Sequence, residues 1–168
     1  LGGSAALALK ACHPGLHVAG VGRRRESLDA AAAAGTLDSA HLDAGEAVAH
    51  TDLVILATPV GAFERHLRAI APRLPAGAMV TDVGSTKASV VRAAERVLGR
   101  GGPFVGSHPM AGSERKGVAF ARADLFDGAT CIVTPTRHTP PKLVARAEAL
   151  WQSLGMRTLR IQIGRAHV

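Results

Sequence analysis

Four short runs in this sequence of 168 residues combine reactive side chains with a backbone context that could use them. The first centres on His108, which precedes Pro109-Met110-Ala111-Gly112 and then Ser113 and Glu114. Imidazole is the side chain whose ordinary pKa suits proton transfer near neutral pH. At the end of an apolar strand, beside a cleft, it is placed to draw a proton from an alcohol. A structural histidine in a turn reads equally well from the residues alone. The second run is Thr81-Asp82-Val83-Gly84-Ser85-Thr86-Lys87. Gly84 permits a tight turn, Ser85 and Thr86 offer hydroxyls as ligands or helix caps, and Lys87 either meets a carboxylate or merely begins a helix. The third is Arg23-Arg24-Arg25, just ahead of a helical pattern. Cations are disfavoured at a helix N-terminus, by a few tenths of a kcal/mol each. A bound anion would offset that, and a solvated basic turn is the alternative. The fourth is Gly2-Gly3-Ser4, which opens a helical run. Glycines there let a dinucleotide pyrophosphate approach the helix N-terminus, although Ser4 could instead be an ordinary cap.

The elements that would position these groups alternate along the chain. Apolar strand patterns cover Leu16 to Val21, Leu53 to Ala57, Met79 to Val83, Phe104 to Ser107, Thr130 to Thr134 and Arg157 to Ile161. Helical patterns cover Ser4 to Ala11, Ser27 to Ala34, Ala62 to Ala71, Ala88 to Leu98 and Pro141 to Leu154. Continuous apolar strands separated by helices predict an α/β fold with a mostly parallel sheet covered on both faces. Such sheets bind ligands at the C-terminal ends of their strands. Each reactive run except the first glycines directly follows a strand pattern, so the chemistry is expected along one sheet edge.

Composition narrows the partners. The chain is 47% hydrophobic and 20% charged, as expected of a folded soluble domain rather than a disordered one. No apolar run reaches the roughly 20 residues of a membrane span, and Leu1-Gly2-Gly3-Ser4 has no signal-peptide character. The net charge of +7 raises nucleic acid as a partner, but aromatics are 3% and Tyr is absent, which leaves few stacking platforms. The two cysteines, Cys12 and Cys131, and the eight histidines follow no metal or redox spacing, so no metal is expected. The thiols read as idle in a reducing cytoplasm.

The run from Asp52 to Pro135 resembles the prephenate/arogenate dehydrogenase family. The resemblance is carried by Asp52-Leu53-Val54-Ile55-Leu56-Ala57-Thr58-Pro59, by Thr81 to Lys87, and most strongly by Val105-Gly106-Ser107-His108-Pro109-Met110-Ala111-Gly112-Ser113-Glu114. Ala123-Asp124-Leu125-Phe126 and the strand Cys131 to Pro135 continue it, and Gly2-Gly3-Ser4 fits the end of the family's cofactor fingerprint. It implies a Rossmann-like, doubly wound domain over residues 1–162, with its first strand lying ahead of Leu1. It also implies a helical C-terminal dimerisation domain that this chain lacks. The implied activity is NAD(P)-dependent oxidative decarboxylation of prephenate or arogenate, a step of tyrosine biosynthesis, in a cytoplasmic homodimer that binds neither nucleic acid nor membrane.

The implied roles are specific. His108 is the general base at the substrate hydroxyl, with Ser85 orienting it; Ser113 and Glu114 line the substrate side. Gly2, Gly3, Ser4, Arg23, Arg24, Thr58 and Pro59 face the cofactor. Where many members carry an acid at the end of the second strand, this chain has Gly22-Arg23-Arg24. That arrangement suits the 2′-phosphate of NADP, with NAD as the alternative cofactor. Ile163-Gly164-Arg165-Ala166-His167-Val168 follows no family pattern and reads as a non-native tail. The competing readings are a related NADP-dependent β-hydroxyacid or imine reductase, which would not need His108, and a non-catalytic cofactor-binding module.

Overall fold

Residues 1–112 and 117–162 are described by the structure, a computed structural model. Its strands are β1 (Ala19–Val21), β2 (Ser39–His41), β3 (Leu53–Leu56), β4 (Met79–Asp82), β5 (Gly106–Pro109), β6 (Thr130–Thr134) and β7 (Arg157–Arg160). Its helices are α1 (Gly2–Cys12), α2 (Arg25–Ala33), α3 (Ala44–Ala47), α4 (Phe63–Ile70), α5 (Lys87–Leu98) and α6 (Pro141–Ser153).

β1 pairs in parallel with β2, and β3 with β4. A parallel bridge from Val80 to Phe104 carries the sheet onward, with Val105 N–H donating to the Val80 carbonyl at 3.0 Å. β5 then pairs antiparallel with β6, and β6 in parallel with β7. The expectation of a mostly parallel α/β sheet holds, with one antiparallel pair. Among the described residues no ladder joins β1 to β3. In the doubly wound strand order, a strand ahead of α1 would occupy that split.

The sheet is covered on both faces, as β4 shows most directly. Met79 packs into a cluster with Ala5 and Leu9 of α1 and Val144, Ala147 and Trp151 of α6. Its neighbour Val80 packs on the opposite side with Phe63 and Leu67 of α4 and Val90 and Ala94 of α5. Successive strand residues point to opposite faces, so a strand buried on both sides must be apolar throughout or satisfy its polar groups internally.

Three features differ from the sequence-based expectation. β2 lies outside the strand patterns, because Ser-Ala-His offers no apolar run. α3 lies outside the helical ones, although the Asp43 side chain caps it by accepting from Glu46 N–H at 2.8 Å. Asp-x-x-Glu is a helix-start signature that could have revealed it. The strand expected at Phe104 to Ser107 is displaced to Gly106–Pro109, because β6 pairs with His108 and Pro109 through Ile132 and Cys131. His108 therefore belongs to the strand rather than to the turn beyond it.

Candidate active site

The parallel register fixes where His108 stands. Val80 lies level with Phe104, so Asp82, at the end of β4, lies level with Gly106. His108 is two residues further on, beyond the β4 end. The turns after β3 and β4 open at this same edge. They carry Thr58, Pro59 and Ser85, all exposed. Gly2 is there too, because a Cβ on it would come within 2.9 Å of the Ala57 Cβ at the end of β3. His108 and the glycine-opened helix thus share one edge of the sheet, as proton and hydride transfer at a common substrate would require.

Beneath His108 lies a buried polar network. Thr81, Asp82 and Ser107 have no exposed surface. The Thr81 hydroxyl donates to the Val105 carbonyl at 2.8 Å and shares a hydrogen bond with the Ser107 hydroxyl at 2.8 Å. Asp82 Oδ1 accepts from Ser107 N–H at 3.0 Å, and Oδ2 accepts from Gly84 N–H at 2.9 Å. Lys87 Nζ donates both to Asp82 Oδ2 and to the Ser107 carbonyl. Of the two readings left open for Lys87, it thus satisfies both: it begins α5 and it meets a carboxylate. Burial pushes the Asp82 carboxyl up and the Lys87 ammonium down, and the contact between them opposes both shifts. The half-buried His108 imidazole is held below its ordinary pKa by burial and by the Lys87 ammonium, against a smaller opposing pull from Asp82. It therefore stays neutral, and able to accept a proton, to lower pH than a free histidine.

Ser85 stands on the β4–α5 turn, and no hydrogen bond joins it to His108 among the described residues. Thr86 occupies the N-cap position of α5, but its side chain makes no capping bond. Ser113 and Glu114, expected on the substrate side, lie outside the described residues, as does the tail at 163–168.

The opposite end of the same edge is built differently. α1 begins with no side-chain cap and no acidic residue in its first turn, which leaves backbone N–H donors available at its positive end. Ser4 is not a cap: it sits inside the helix, buried, and its hydroxyl accepts from Arg122 N–H at 3.1 Å. Only its backbone remains for a ligand. Gly3 is equally constrained, since a Cβ there would meet the Ala121 Cβ at 3.1 Å. These glycines let the first turn of α1 pack closely against Ala57 and Ala121. Arg23 and Arg24 are exposed in the β1–α2 turn. Neither has an ion-pair partner among the described residues, whereas Arg25 pairs with Asp29 at 3.2 Å. His66 of α4 completes this basic cluster. Burial lowers its pKa first, and the Arg65 and Arg23 charges lower it further.

The sequence profile of the prephenate dehydrogenase nucleotide-binding domain matches residues 5–160. The chain belongs to the prephenate dehydrogenase family. It is 39% identical over 151 residues to prephenate dehydrogenase of Bacillus subtilis, covering 89% of this chain and 41% of that protein. It is 35% identical over 157 residues to cyclohexadienyl dehydrogenase of Zymomonas mobilis, covering 94% of this chain and 53% of that protein. The crystal structure of prephenate dehydrogenase from Aquifex aeolicus in complex with hydroxyphenyl propionate and NAD+ superposes with a TM-score of 0.89 at 30% identity, covering 95% of this chain and 56% of that one. The chain thus spans about half the length of the family relatives it matches.

Two parts of the site carry no local signal in the sequence. The Asp82–Lys87 pair is visible as residue types five apart, but nothing nearby says that both are buried. His66 is equally silent, because its approach to Arg23 is set by tertiary packing rather than by local sequence.

Proposed function

We propose that this chain forms the cofactor-binding half of an NADP-dependent dehydrogenase that oxidatively decarboxylates prephenate or arogenate. The observation that carries the reading is the half-buried His108, held below its ordinary pKa by burial and by Lys87, on the same sheet edge as the glycine-opened α1. Gly2, Gly3 and the free N–H groups of the first α1 turn would hold the pyrophosphate, with Thr58 and Pro59 beside it. The chemistry the cofactor supplies is acceptance of hydride from the hydroxyl-bearing ring carbon, with carbon dioxide lost as the ring aromatises. His108 accepts the hydroxyl proton as that hydride departs, which requires the neutral imidazole. Ser85, at the mouth of the site, orients the substrate hydroxyl and His108 once substrate is bound, and Ser113 and Glu114 line the substrate side.

Arg23 and Arg24 support NADP over NAD. They pair with no acid among the described residues, they stand where an acid would otherwise hold the ribose hydroxyls, and His66 adds a third basic group. The substrate-side contacts beyond this chain, the dimer and a cytoplasmic setting are carried by the family resemblance. The test is to incubate the whole protein with prephenate or arogenate and either NADP+ or NAD+, following reduced nicotinamide and the aromatic product together. Formation of hydroxyphenylpyruvate or tyrosine with NADP+ is expected. No aromatic product with either substrate would overturn the reading.

A further inference from the structure

The buried Asp82–Lys87 pair needs an explanation that stability does not supply. Removing two charges from water costs several kcal/mol per ion, and such a pair is often no better for stability than apolar residues of similar size. The Lys87 side chain is 11% exposed and that of Asp82 not at all. Lys87 is also the first residue of α5, where the helix dipole disfavours a cation. The sequence therefore places an ammonium where both burial and the helix oppose it.

What the pair touches is the peptide next to His108. Asp82 takes the Ser107 N–H, and Lys87 takes the Ser107 carbonyl. Both polar groups of that residue are thus held by side chains of β4 and α5. Among the described residues, three titratable groups act on or bond with His108 from the surrounding elements: Asp82 from β4, Lys87 from α5 and Cys131 from β6. Burial pushes the Cys131 thiol up to about 12, so it is uncharged at ordinary pH. Among the described residues, the charges acting on the imidazole are those of the pair.

We propose that Asp82 and Lys87 are positioning residues for His108, clamping the Ser107 peptide and presenting the imidazole in one orientation as an uncharged base. The proposal rests on the dehydrogenase reading for its kinetic consequence, but not for its effect on the imidazole itself. Lys87 disfavours the imidazolium and Asp82 favours it, so removing them should move His108 in opposite directions. A merely structural pair would lower stability and rate without opposed shifts.

The experiment uses the whole protein with Lys87→Met, Lys87→Arg and Asp82→Asn. His108 is followed by NMR titration of its labelled imidazole, and kcat/KM is followed against pH. Lys87→Met should move both the His108 titration and the acidic limb to higher pH, and lower kcat by about 10²-fold through misplacement of the base. Lys87→Arg, which keeps the charge, should restore the limb. Asp82→Asn should move the titration to lower pH. If Lys87→Met fails to fold, Asp82→Asn still decides, because it removes the opposing charge and keeps Lys87. An unmoved His108 titration in folded Lys87→Met or in Asp82→Asn overturns the proposal. If wild-type protein makes no aromatic product but His108 shifts as described, the functional reading fails and the positioning role stands.

Discussion

The two ends of the ligand edge use charge in opposite ways. Beneath His108, the charged and polar groups are withdrawn from solvent and bonded: Asp82, Lys87, Thr81 and Ser107 satisfy one another and tie β4 to β5. Around Arg23 and Arg24, the cations are exposed and carry no ion pair among the described residues. A proton-transfer group must be held in place before substrate arrives, because misplacement costs rate steeply. A phosphate-recognition group only has to be available, since the ligand organises flexible cations as it binds. The first arrangement is insulated from salt, whereas the second is screened within about a Debye length.

That contrast can be broken most sharply at His108. In the whole enzyme, His108→Asn should lower kcat by roughly 10²–10⁴-fold and leave cofactor Kd near its original value. Steady-state kinetics beside a cofactor titration would show this. Near-normal turnover would return His108 to a structural role. The wild-type acidic limb should lie below the ordinary histidine pKa, because the folded site disfavours the imidazolium. Activity is therefore retained as pH falls past the value for a free histidine and is lost only as pH passes below the lowered one. A limb at or above the ordinary value would contradict the burial of the imidazole.

At the other end, Arg23→Ala with Arg24→Ala should weaken NADP binding by about tenfold or more, the value of a charge-assisted contact of roughly 1.5–3 kcal/mol. NAD binding should hardly change. Calorimetry at two salt concentrations would sharpen the test, since the wild-type preference should shrink as salt rises. An NADP preference unmoved by either the substitutions or the salt would mean that recognition lies elsewhere. The same preference should grow as pH falls, if His66 faces the added phosphate. Burial and then the Arg65 and Arg23 charges disfavour its protonation in the free protein, and a bound dianion would offset the arginine charges, so binding would favour uptake of a proton.

Smaller effects separate the ends further. Ser85→Ala should reduce kcat less than His108→Asn, because it removes an orienting hydroxyl and leaves the base in place; single-turnover rates would rank the two. Thr81→Val should cost about 1–3 kcal/mol of stability by leaving a buried carbonyl and the Ser107 hydroxyl short of a partner. Arg23→Ala should stay within about 0.5 kcal/mol, as expected for an exposed side chain. Chemical denaturation of the three proteins would place them on one scale. Equal costs for Thr81 and Arg23 would erase the distinction between the two ends.

Much of this architecture is legible in the amino-acid sequence. The β3 run is continuous and apolar because both faces of the sheet are covered, and the turns after β3 and β4 announce the ligand edge. His108, Ser85 and Thr58 follow from that rule and fall on one edge, which Gly2 joins through its close approach to Ala57. What the sequence conceals is non-local. β5 starts two residues late because its partner β6 arrives antiparallel from a distant segment. The Ser107 clamp depends on two side chains from different elements meeting the backbone N–H and carbonyl of one residue. His66 reaches the Arg23 cluster only through the packing of α4. Pattern reading sees periodicity within an element, whereas these features are settled between elements.

Trp151 has a practical consequence. It is the chain's single tryptophan, there is no tyrosine, and its ring is fully buried on α6, 5.9 Å from Phe126 between ring centroids. Ultraviolet emission from this domain therefore originates at one dry position in the core, on the far side of the sheet from α4 and α5. Loss of its blue-shifted fluorescence would report melting of that core alone. Changes at the arginine turn or at the histidine should pass without altering the signal, so one optical channel can monitor folding while ligand titrations proceed in another.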